Sequence, residues 1–206
     1  MYALVESGTI TKYFSYPKGF TLGELQYPAD IFMKWSVEEK EAIGIYEVVF
    51  DDNNKKNEQW YINTNQTFAF ADGVVTASYD TAIAKSHADS LWTQQDSDDG
   101  NLPSDKSVGD VRGEGLKTTL IRTLKSQVAG ILKNTDWYIT RNTEKSTAIP
   151  SSISTHRDAV RTKQAAMEAQ ITGAADTAAL ETLYTFTEQE NGSVTRPLGE
   201  LPVLES

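Results

Sequence analysis

Along the first eighty residues the apolar positions come in short runs separated by turn residues. Met1 to Val5 is apolar, Ser7-Gly8 turns the chain, and Thr9 to Phe14 alternates as a strand does. Tyr16-Pro17-Lys18-Gly19 is another turn, because proline presets one backbone angle and glycine supplies the next. Ser36-Val37-Glu38-Glu39 has the spacing of a capping box, so a short helix is expected to start there and to end near Gly44. Ile45 to Phe50 is rich in β-formers, and Asp51-Asp52-Asn53-Asn54 turns it towards Gln59-Trp60-Tyr61-Ile62. Asp72-Gly73 stands between the β-prone runs Thr67 to Ala71 and Val74 to Tyr79, the strongest short-range hairpin signal in the chain.

The period changes to that of a helix near Gly115. Leu116, Leu120, Leu124, Val128, Ile131 and Tyr138 recur at spacings of three, four or seven, with Ile121 and Leu132 widening the stripe. One long helix through Tyr138 is therefore expected. A second should begin at Ser151 to Ser154, after Pro150, and carry Ile153, Val160, Met167, Ile171 and Ala174, with Arg157 and Gln164 interrupting its stripe. Gly173 lies near its end, and Asp176 caps a shorter third helix with Leu180, Leu183 and Tyr184. The two long helices make a hairpin, expected to be locked by Trp137 and Tyr138 at its closed end.

Between these regions, Thr93 to Asp105 holds one leucine and one proline among polar groups, and residues 93–110 read as a linker. The expected fold class is α+β: a β-rich head over 1–92, an acidic linker over 93–110, a helical hairpin module over 111–190 and an extended tail over 191–206. A two-helix hairpin buries one face of each helix. Its remaining apolar surface needs Leu180, Leu183 and Tyr184, a partner, or another copy of the chain. The partner-binding candidates are accordingly Leu120, Leu124, Val128, Ile131, Trp137, Tyr138, Val160, Met167 and Ile171.

Charge narrows the partners. The net charge is −10 over 206 residues, with −6 in residues 1–92, −4 in 93–115 and zero beyond. Nowhere do Lys and Arg outnumber Asp and Glu as phosphate binding requires, so no nucleic-acid partner is expected. There are no cysteines, which removes disulfides, thiolate metal sites and cysteine nucleophiles together. No run approaches the ~18 apolar residues of a membrane helix, so no membrane partner is expected either, and no signal peptide is visible after Met1.

Candidate chemistry is thin. His87 and His156 are the histidines, and neither stands in a motif with a nucleophile, so both read as surface or packing residues. Asp96-Ser97-Asp98-Asp99-Gly100-Asn101 approaches a calcium loop, but its glycine is at the fifth place and its twelfth residue is Ser107. Gly109, Gly113 and Gly115 precede a helix without the strand before them or the Lys-Ser/Thr pair of a phosphate loop. The aromatic set Trp35, Tyr46, Trp60, Tyr61, Phe68, Phe70 and Tyr79 reads as core, and Trp92 as an anchor for the acidic loop. No catalytic residue, cofactor or metal is assigned.

Two stretches carry a resemblance. Leu132-Lys133-Asn134-Thr135-Asp136-Trp137-Tyr138-Ile139-Thr140-Arg141, followed by Thr147-Ala148-Ile149-Pro150 and Ser151 to Arg161, resembles a module of tailed bacteriophages described as a tail-fibre or tail assembly chaperone. His156 stands where that family commonly has tyrosine. Met1 to Gly8 and Ala42 to Val48 resemble small phage proteins encoded beside tail-fibre genes, some of them in marine phages. The resemblance implies a non-enzymatic protein that binds tail-fibre or other virion proteins in the host cytoplasm during assembly, or a permanent virion subunit. By the same analogy it implies a homo-oligomer, a trimer first.

Overall fold

The computed structural model describes residues 1–204. The chain forms two compact units, residues 1–83 and 84–206, rather than parting at residue 92. The fold class is α+β, as expected.

The first unit is built on a five-stranded mixed sheet. Its strands are β1 (Tyr2–Glu6), β2 (Thr9–Phe14), β5 (Ile45–Asp51), β7 (Thr67–Ala71) and β8 (Val74–Ser78), in the order β2-β1-β5-β8-β7. Two tight turns set much of it. Ser7 and Gly8 both take positive φ, at 50° and 78°, and so do Asp72 and Gly73. That conformation matches the twist of the strands it joins, and these are the hairpins read from the sequence. β5 and β8 pair in parallel, with Val48 opposite Val75, and the intervening β6 (Tyr61–Ile62) and β7 lie in the crossover between them. The Tyr13 and Phe68 rings, on the two outermost strands, come within 4.6 Å, which curls the sheet into a half-barrel.

Alternation along β1 divides the core between the two faces of the sheet. Leu4 and Ile45 face Phe14, Phe20, Ile31 and Phe32, under the hairpin of β3 (Phe20–Leu22) and β4 (Leu25–Tyr27) and the short helices α1 (Ile31–Lys34) and α2 (Val37–Glu41). Ala3, Val5, Val48, Val75 and Ala77 face the other way, with Tyr46, Phe68 and Phe70 packed over them. The capping box is present at α2: the Glu39 amide donates to Ser36 Oγ at 3.2 Å and the Ser36 amide to Glu39 Oε2 at 2.8 Å. Trp60 and Tyr61 are buried, as the core reading requires.

The chain crosses into the second unit along β9 (Ile83–Ala84). There β10 (Ser90–Leu91) pairs with β11 (Val111–Gly113), so the acidic stretch between them is a closed loop rather than a free linker. Inside the loop, Thr93 caps the short helix α3 (Gln94–Asp98) together with Asp96, and Asp96 also binds Arg112 at 2.9 Å. The guanidinium of Arg112 stacks over Trp92 at 4.7 Å, and Trp92 exchanges backbone hydrogen bonds with Gly109 and Asp110. The acids that resembled a linker are therefore engaged: Asp96 as a cap and ion-pair partner, and Asp98 and Asp99 as acceptors from the Gln94 and Gln95 side chains.

Helices α4 (Leu116–Lys133), α5 (Asp136–Lys145), α6 (Ser151–Gly173) and α7 (Thr177–Tyr184) follow, then the hairpin of β12 (Thr187–Glu188) and β13 (Val194–Thr195). α4 and α6 run antiparallel: Lys117 at the start of α4 donates to the Thr172 carbonyl, and Arg157 near the start of α6 donates to the Leu132 carbonyl. The expected single helix through Tyr138 is broken at Asn134-Thr135. Thr135 has φ −117° and ψ 3°, and its hydroxyl donates back to the Leu132 carbonyl at 3.0 Å, which ends the helical ladder there. The segment before β10 belongs with these helices. The Ser86 and His87 carbonyls accept the first amides of α4, Asp89 accepts from the Gly115 amide and the Thr118 hydroxyl, and Thr177 at the start of α7 donates to the Lys85 carbonyl. Those contacts are why the unit begins at residue 84.

Candidate partner-binding surface

The seam between α4 and α6 consumes most of the residues expected to meet a partner. Leu124 and Val128 from α4 are buried against Val160, Met167 and Ile171 from α6, while Leu120 and Ile131 are half-buried at its margins. A further layer comes partly from α7, whose Leu180 is fully buried, and partly from the tail that was expected only to be extended. Leu198 of that tail is 1% exposed, and its amide donates to the Leu183 carbonyl at 3.0 Å. Arg196 holds the turn before the tail by binding Glu200 at 2.7 Å and lying over the Tyr184 and Phe186 rings. The hairpin's stripe is therefore largely satisfied within the chain.

Trp137 and Tyr138 are placed differently from the expectation. Trp137 is 51% exposed and does not close the hairpin against α6. The closure is made by Arg157, whose side chain is 8% exposed. Its Nη1 donates to Thr135 Oγ1 at 2.6 Å and to the Leu132 carbonyl at 2.8 Å, and pairs with Asp136 Oδ1 at 2.9 Å. A guanidinium suits this position because it offers several donors in a rigid fork and remains charged when desolvated. The signal for it was in the sequence: Arg157 falls on the apolar stripe of α6, between Ile153 and Val160, where a charge needs a partner.

The joint fixes α5, yet α5 buries none of its own residues. Isolated helices of about ten residues are marginal in water, so α5 depends on its anchorage at Thr135, Asp136 and Arg157. On its surface the Trp137 and Tyr138 rings lie 3.8 Å apart, and the Arg141 guanidinium stacks over them at 4.6 Å and 5.4 Å. Arg141 Nε is enclosed and has no hydrogen-bond partner. Ile139 is also exposed. Tryptophan, tyrosine and arginine in one rigid cluster are the residues that dominate protein interfaces.

His156 is buried beside the joint, while His87 gives its backbone carbonyl to α4. Among the described residues, no three His, Asp or Glu side chains converge to hold a metal ion, and no helix is long and apolar enough to cross a membrane. Compared with protein-family models, curated proteins and solved structures, the chain matches none.

Proposed function

We propose that the chain is a non-enzymatic binding protein of a tailed-phage tail, which engages tail-fibre or other tail components during assembly through the exposed face of α5. The observation that carries the reading is the helix itself: ten residues, none buried, held in place by a buried arginine. The residues of that joint, Thr135, Asp136 and Arg157, are among those that carry the resemblance to phage assembly chaperones. The motif then has a physical purpose, since it fixes the position of a helix that displays Trp137 and Arg141. A half-exposed tryptophan stacked by a guanidinium keeps a large contact area ordered before binding, which lowers the entropy lost on association.

The test is co-expression with the tail-fibre protein of the phage that encodes the chain. A complex should co-purify, and Trp137→Ala should weaken it by about 2 kcal/mol, or about thirtyfold in Kd, while leaving the melting temperature of the free chain nearly unchanged. Failure of the wild-type chain to bind any fibre or tail protein in that format would end the proposal. The alternative is a permanent virion subunit; in mass spectrometry of purified virions, stoichiometric presence points to such a subunit or to a binding protein retained on the fibre, and absence points to a released chaperone.

A further inference from the structure

Arg112, Arg122, Arg157, Arg161 and Arg196 each pair with a carboxylate of the chain. Arg141 is the remaining arginine, and among the described residues no carboxylate meets it. Glu144, one turn further along α5, is exposed and forms no ion pair with it. The guanidinium turns instead onto the Trp137 and Tyr138 rings, and there Nε is enclosed without an acceptor. Among the described residues it is the one Arg141 nitrogen so enclosed, which leaves the Nη edge of the fork open. A charge that loses part of its hydration and gains no hydrogen bond in return is destabilised, and an anion at the open edge offsets that loss. Stacking holds the fork in one plane, so little side-chain freedom remains to be lost when an anion docks.

We infer that α5 recognises a carboxylate: a Glu or Asp of a partner protein, flanked by an apolar side chain that packs on Trp137. The assignment rests on the reading of α5 as the partner-binding face and supplies the chemistry of that partner. A carboxylate fits because its two oxygens can accept in parallel from the Nη edge, the geometry in which arginine binds acids most strongly. The charge around the site agrees. Asp136, the other acid of α5, is already held by Arg157. Beyond residue 115 the chain carries as many acids as bases, so the surplus of −10 lies earlier in the sequence and an acidic segment meets no net charge of its own sign in the helices. A phosphate backbone is a poorer match. Nucleic-acid binding grows with the number of cations that meet phosphates, and α5 sets only Arg141 and Lys145 against Asp136 and Glu144.

The experiment titrates the full chain, labelled with ¹⁵N-arginine, with the acetylated peptide amide Ala-Leu-Glu-Leu-Ala and with the same peptide carrying Gln in place of Glu. The Arg141 Nε–H resonance, assigned with Arg141→Lys, should shift saturably, and the Glu peptide should bind about tenfold more tightly than the Gln peptide. Arg141→Gln should abolish that preference. Arg141→Lys, which keeps the charge and loses the flat fork, should reduce it to about twofold. Circular dichroism checks that both variants keep the wild-type fold. Failure of the Glu peptide to bind, equal affinities for the two peptides, or a preference that survives Arg141→Gln would overturn the inference. A full preference in Arg141→Lys would also overturn it, since charge alone would then suffice. So would a single-stranded oligonucleotide that displaces the Glu peptide at lower concentration, in favour of phosphate. A dimer in native mass spectrometry that Arg141→Gln dissociates would overturn it in favour of a second copy. Co-purification with the fibre reads the tail assignment separately. A Glu preference without a fibre complex supports the carboxylate site and removes the tail as its source, whereas a fibre complex indifferent to Arg141→Gln removes the carboxylate and leaves the tail.

Discussion

Gly115 stands where α4 meets the chain that caps it, and a Cβ there would fall inside the Ala88 carbonyl group. Backbone on both sides leaves nothing flexible to move aside. Gly115→Ala is expected to cost about 2 kcal/mol, read as a fall of several degrees in the melting temperature of the helical unit. Gly130, on the same helix, has open space around it and serves as the control, since an alanine there should be neutral or mildly stabilising. Asp89 acts at the same junction. The Gly115 amide first, and then the Thr118 hydroxyl, hold its carboxyl below the ordinary carboxylate range. A depressed value in the folded state means that the unfolded chain takes up the proton more readily. Its contribution is therefore complete above the unfolded value of about 3.9 and is lost as pH falls through the lower folded value. Asp89→Asn should flatten the acid limb of the stability profile, measured by urea denaturation at a series of pH values.

At the scale of elements, what could be read from the sequence was what neighbouring residues decide. The turns at Ser7-Gly8 and Asp72-Gly73, the capping box at Ser36 and the cap at Asp176 each depend on fewer than five residues, and each is present. The seam of Leu124, Val128, Val160, Met167 and Ile171 was visible for the same reason, as a period within each helix. The parallel pairing of β5 with β8 was not, because its partners are joined only through a crossover. The break between α4 and α5 escaped for a related reason. Asn134-Thr135 is compatible with a continuing helix, and the group that stabilises the break is Arg157, 22 residues further on. That dependence can be measured. Arg157→Met should raise amide exchange across residues 136–145 at least tenfold, because α5 loses its anchor, while residues 120–130 stay protected by the seam.

For the molecule as a whole, the boundary between units follows from what the ends of the helices require. A helix leaves its first amides without internal partners, and at the start of α4 those of Leu116, Lys117 and Gly115 are taken by Ser86, His87 and Asp89 in turn. A fragment of residues 84–206 should therefore melt cooperatively with the helicity of the intact chain. A fragment of residues 111–206, cut where the composition changes, should be less stable and should expose apolar surface, as dye binding would report. The acidic stretch misled the sequence reading because charge and polarity resemble a linker whether or not the charges are engaged. Asp96 shows the difference, since it caps α3 and binds Arg112.

The hydrogen bond from Thr177 to the Lys85 carbonyl spans 92 residues and joins two positions that enclose the whole hairpin. It gives a mostly helical unit a long-range contact that is more typical of β topologies, and such contacts form late because closing a long loop is entropically costly. The ring should therefore shut after α4 and α6 have paired, and the bond should be absent from the transition state. Thr177→Val should speed unfolding in stopped-flow experiments and leave the folding rate unchanged. What the clasp confers is persistence: once closed, it lengthens the lifetime of the folded helical unit without hastening its birth.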